Sequence, residues 1–137
     1  MKKIVGVLLV CFSLFTPSFA EEYVVIANKK IGKLSLVQIK AIFLKKIRVV
    51  NGVSVVPINL KAKDPLRVAF EKELIHMSFS RLKKYWIKEH YLGHRPPLTL
   101  HSQESVKAFV KRVDGAVAYV NVKYLDESMK ILYRWRE

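Results

Sequence analysis

The sequence predicts an α/β fold, a single compact domain built on a central sheet with packed helices. Short β-branched runs alternate with helical patterns along the chain. The helical segments open on residues that cap helices: Ser35, Asp64, Ser78 or Ser80, and Ser102. The chain has 137 residues and is 51% hydrophobic, enough for one buried core and too short for a multidomain enzyme. That composition excludes intrinsic disorder, and no internal repeat, linker or low-complexity segment interrupts the chain.

Tyr23 to Ala27 reads as a buried strand, followed by a basic turn through Gly32. Ser35 and Gln38 have the spacing of a capping box, and Leu36, Ile39, Ile42 and Phe43 fall on one face of the helix that follows. Asn51-Gly52 marks a turn into a strand over Val53 to Leu60, where Pro57 favours an edge or a strand end. Asp64-Pro65 starts a second helix, with Leu66, Phe70, Leu74 and Met77 as its apolar stripe. The third helix turns Phe79, Leu82 and Trp86 inward and Lys83, Lys84 and Lys88 outward, and stops at Gly93 before Pro96-Pro97. Ser102 caps a fourth helix through Val113, with Val106, Phe109 and Val110 inward. Asp114-Gly115 turns into a strand over Ala116 to Val120, and Lys130 to Trp135 forms a last strand.

The first twenty residues form a separate unit. Met1-Lys2-Lys3 is cationic, Ile4 to Phe15 is apolar, and Thr16 to Ala20 ends on small residues. This is the pattern of a secretory signal peptide cleaved after Ala20, leaving residues 21–137 as a periplasmic domain. A membrane anchor needs about 20 apolar residues, more than this run holds. Lipoprotein acylation at Cys11 is disfavoured by Val10 before it and by its place in mid-run. Loss of the leader removes Lys2, Lys3 and the only cysteine, lowering the formal charge from +14 to +12. Without a thiol the domain has no disulfide, cysteine nucleophile or cysteine–zinc site.

Few residues suggest catalysis. His90 and His94 are four apart but separated by Gly93, without a third ligand at zincin spacing; His76 and His101 stand alone. Ser78, Ser80, Ser102 and Ser105 are accounted for as caps or first-turn residues, and none lies in G-x-S-x-G. Glu71 and Glu73, two apart, do not share a helix face. The expectation is a protein that is not an enzyme and carries no metal or cofactor.

Charge is the strongest feature. Lys29, Lys30 and Lys33, then Lys40, Lys45, Lys46 and Arg48, then Lys61, Lys63 and Arg67, and later Lys83, Lys84, Lys88, Lys107, Lys111 and Arg112 make an anion-attracting field. The clusters fall on several elements without aromatic interleaving, which disfavours a nucleic-acid groove. Two helix starts are specific candidates for a small anion: Ser102 with Ser105, and Lys63 with Arg67. At the second, Asp64 competes for the donors and Pro65 removes one. Arg67 also stands four residues before Glu71, the spacing of an ion pair.

The order of pieces resembles the phosphate-binding proteins of ABC importers, type II periplasmic solute-binding proteins. Ile42-Phe43-Leu44-Lys45-Lys46 resembles their I-F-x-G-K helix end. The strand from Val53 to Asn59 and Asp64 to Leu74 resemble the strand and A-F-E helix that follow, and Val106 to Val120 their V-x-x-x-V-x-x-x-x-G-A-I-G-Y-V. The similarity runs from about Val24 to Val120. It implies one lobe of a two-lobed fold, phosphate or another small oxyanion as ligand, and an ABC permease or envelope protein as partner. Where that family has S-G-T-R this chain has Asp64-Pro65-Leu66-Arg67, so only Arg67 matches a phosphate-contacting residue; Gly115 and Tyr119 match as structural residues. Candidate anion contacts are therefore Arg67, Lys63, Ser102 and Ser105. The alternative is a non-transport interaction module using the basic surface to bind a protein, nucleic acid or envelope partner. The sequence leaves the oligomeric state open.

Overall fold

The computed structural model describes residues 21–137; the leader and Cys11 lie outside them. The elements are β1 (Glu22–Asn28), α1 (Leu36–Phe43), β2 (Val49–Val50), β3 (Val53–Ser54), β4 (Val56–Asn59), α2 (Pro65–Phe70), a π-helical turn (Glu71–Ile75), α3 (Phe79–Tyr91), β5 (Leu98–Thr99), α4 (Gln103–Arg112), β6 (Ala116–Asn121), a 3-10 turn (Val122–Tyr124) and β7 (Met129–Arg136). Five strands form a mixed sheet in the order β5-β4-β6-β1-β7, and β2 and β3 form a separate hairpin. β4 runs parallel to β5 and β6, whereas β1 runs antiparallel to β6 and β7.

Register assigns the faces. Val25 lies opposite Tyr119 and Ala27 opposite Val117, so these side chains share one face of the sheet. There Tyr119 stacks on Phe70 of α2 at 4.1 Å between ring centroids, and Phe43 of α1 meets Phe70 at 4.6 Å. Asn28, one residue beyond Ala27, points to the other face, where its amide donates to Val110 O of α4 at 2.9 Å. The helices thus cover both faces, and Val24 to Ala27 and Ala116 to Val120 are almost wholly buried between them.

The predicted caps are present. Ser35 and Gln38 form a reciprocal capping box, and Asp64, Ser78 and Ser102 each accept a backbone N–H of the following turn. The packing departs from expectation in four places. The strand expected over Val53 to Leu60 is broken. Asn51-Gly52, both at positive φ, close the β2–β3 hairpin, and Val55 then carries the chain from the hairpin into the sheet. β4 is an interior strand, and it tolerates Pro57 because β5 joins it only from Ile58 onward. The second helix widens into the π turn and ends at His76 (φ 53), so Leu74 and Ile75 are both buried and Met77 lies beyond the helix. Leu36 and Phe79, expected inward, are exposed, Phe79 by 77%.

Candidate functional site

The carboxyl ends of β4, β5 and β6 reach the same edge of the sheet, because the three strands are parallel. In open α/β sheets that edge is where ligands bind. The chain leaves β4 to start α2 and leaves β5 to start α4, so both candidate helix starts lie along this edge. Leu100 N donates to Asn59 O at 2.9 Å just beyond the paired strand ends. Asn121 N, at the end of β6, donates to Oε1 of Gln103 at the start of α4, at 2.6 Å.

Topology thus places Lys63, Arg67, Ser102 and Ser105 on one edge, at two separate helix starts. Arg67 turns back against the protein: its Nε donates to Glu71 Oε1 at 2.9 Å and its Nη1 to Leu60 O at 2.9 Å. Both members of that pair are largely shielded from solvent. Asp64 Oδ1 takes the Leu66 N–H at 2.9 Å, so a carboxylate already occupies the start of α2. Lys63 is exposed and makes no ion pair among the described residues. At α4, Ser102 Oγ accepts from Ser105 N at 3.1 Å, and the two exposed hydroxyls bond each other at 2.8 Å.

Behind Arg67 lies a buried polar relay that includes a residue the sequence reading missed. Tyr119 Oη donates to Asn59 Oδ1 at 2.9 Å and accepts from Leu60 N at 3.1 Å. Asn59 and Asn28 are the buried polar side chains among the described residues. Burial holds the Tyr119 hydroxyl well above the ordinary phenol range. Asn59 entered only as the last residue of the Val53 to Asn59 strand, with no role assigned; its one local signal was a polar residue at the end of an apolar strand.

On the outer side of the Arg67–Glu71 pair runs a groove of about 240 Å³, whose walls include Ala62, Phe79, Lys83 and Trp86. A second hollow of about 340 Å³ continues past Phe79, between Val68, Lys72 and His76. Among the described residues no three metal-ligating side chains cluster, and no helix is long and apolar enough to cross a membrane.

No protein-family model and no curated protein sequence matches the chain. Among solved structures it is similar to an ABC-type phosphate transport receptor from Vibrio cholerae, at 16% identity and a TM-score of 0.64. The alignment covers 82% of this chain and 45% of that one. It is also similar to a putative phosphate ABC transporter substrate-binding protein with bound phosphate from Clostridium perfringens, at 20% identity and a TM-score of 0.65, with the same coverage. The chain therefore has the fold of one lobe of a periplasmic binding protein and spans less than half the length of the structures it matches.

Proposed function

We propose that this chain is an exported, periplasmic solute-binding-like domain that takes a small oxyanion, phosphate first, at the carboxyl edge of its sheet, as an accessory to ABC-type uptake. The observation that supports this reading is that Lys63 with Arg67 and the Ser102 helix start lie along that one edge, at two separate helix starts, in a fold shared with phosphate receptors. An anion there must draw Arg67 away from Glu71, so binding is weaker than in a site whose arginine is free. Lys63 adds charge, and Ser102 and Ser105 reorient their hydroxyls toward the ligand. An ABC permease or another envelope protein would then be the partner that receives the solute.

The test is thermal unfolding with phosphate, sulfate, acetate and chloride at matched ionic strength. Phosphate at about a hundred times its dissociation constant should add roughly 2.7 kcal/mol, a rise of several degrees. Arg67→Ala should abolish that rise, and Glu71→Gln, which frees the guanidinium, should enlarge it at subsaturating phosphate. Equal shifts with every anion would refute the proposal.

One observation favours a second role, as an interaction module. Phe79, Ile87 and Tyr91 of α3, with Leu92 just beyond it, are exposed apolar residues, Tyr91 by 85%, interspersed with Lys83, Lys84 and Lys88. A partner on this face would bind with a steep salt dependence and without regard to phosphate at fixed ionic strength.

A further inference from the structure

At the opposite edge of the sheet, where β4 and β5 begin, the chain builds a second concave site rich in basic side chains. Lys45, Arg48, His94 and Arg95 line a cavity of about 380 Å³ together with Ser54 at the end of the β2–β3 hairpin. That volume is in the range of small-molecule sites, roughly 300–1,000 Å³. No carboxylate lines it. Among the described residues Lys45, Arg48 and Arg95 make no ion pair. Of the acidic groups adjoining these segments, Glu89 contacts the lining residue His94 at Nδ1, 2.5 Å away, and Asp114 is held on Lys30 at 3.0 Å; neither pairs with Lys45, Arg48 or Arg95.

Folding thus gathers Lys45, Arg48 and Arg95 around one hollow, none of them in an ion pair among the described residues. Burial first, and the charge of Arg48 second, lower the pKa of Lys45. The backbone at Lys45 is itself left-handed (φ 62), a region glycine occupies freely and a residue with a Cβ occupies under strain. Both features are costs, and a multiply charged anion would offset the electrostatic one.

We propose that this cavity binds a multiply charged phosphate, held by Lys45, Arg48 and Arg95. Two guanidinium groups can each present a fork to phosphate oxygens while the ammonium acts as a point charge. Three cations match a dianion or trianion, whereas a monocarboxylate or chloride would leave most of the charge uncompensated. The same chemistry is offered by a free diphosphate and by the phosphate headgroup of an anionic lipid. The site shares no residue with the carboxyl edge, so it stands or falls independently of the proposal above.

Calorimetric titration of the purified protein with inorganic pyrophosphate, against sulfate and acetate at matched ionic strength, is the first arm. Flotation with phosphatidic acid vesicles, against phosphatidylcholine vesicles, is the second. Lys45→Gly removes the ammonium and relieves the backbone, so it should melt no lower than the parent while binding about tenfold more weakly or worse. Arg95→Ala should lose affinity to a similar extent, and Arg67→Ala should lose none. Pyrophosphate binding without flotation identifies a soluble ligand, and flotation without pyrophosphate affinity identifies a headgroup. Binding by neither probe, or variants Lys45→Gly and Arg95→Ala that bind like the parent, overturns the proposal.

Discussion

Gly115→Ala should destabilise the protein by about 3 kcal/mol or more, lowering Tm by roughly 15 °C. A Cβ at Gly115 would stand 1.7 Å from the carbonyl oxygen of Ser54 and 2.7 Å from its carbon. Those are backbone atoms of the hairpin end, so no rotamer change makes room. The hairpin would have to retreat and would strain the 2.7 Å bond from Val56 N to Gly115 O, where β4 begins to pair with β6. Gly32→Ala is the control, since its Cβ would meet only the Asn51 amide nitrogen at 3.5 Å. It should be neutral or stabilise by about 0.5 kcal/mol. Melting of Gly115→Ala alongside the parent would show that hairpin and sheet are not in contact as described.

Tyr119→Phe should cost about 2–4 kcal/mol while leaving the aromatic stack with Phe70 in place. The loss is polar: Leu60 N–H and Asn59 Oδ1 would both be left buried without the hydroxyl that serves them. The pH dependence separates this from a packing defect. The hydroxyl is held protonated above the ordinary value of 10.0. Its share of stability is therefore fully present below about pH 10 and is lost as pH rises toward the raised value. Tyr23 adds to the same alkaline loss, since its hydrogen bond to Glu21, and then burial, push it up to about 12. Chemical denaturation of the variant should show a shallower decline above pH 10 than the parent. Parallel declines would mean that the Tyr119 hydroxyl is not held as described.

Features governed by local chemistry were legible in the sequence. Ser35, Asp64 and Ser102 cap their helices because a cap depends on a backbone N–H two or three residues away. The Arg67–Glu71 pair was legible for the same reason. What escaped depends on distant partners. Periodicity turned Leu36 and Phe79 inward because it assumes that every apolar face is covered, and here none of the described elements covers them. The break at Val55 follows from the approach of Gly115, sixty residues on in the chain. The π turn inserts a residue into the helical repeat, which moves Ile75 into the core and leaves Met77 half-buried at its margin, beyond the helix. At the candidate site, the residue types were readable but their engagement was not. Whether an arginine faces a ligand or a carbonyl depends on Leu60 O, and Asn59 acquires its role only when Tyr119 arrives from β6.

The position of β1 between β6 and β7 also dictates when the sheet can form. Its two neighbours, β6 and β7, come from the far end of the chain, and Glu22 sits opposite Arg136. A chain emerging N-terminus first holds β1 without either partner until residues 116–136 have followed, so the sheet cannot close before then. Such long-range pairing folds slowly, on the order of milliseconds to seconds. β1 therefore stays unpaired while residues 29–115 are laid down, and its pairing with β6 and then β7 is the event that commits the sheet to fold.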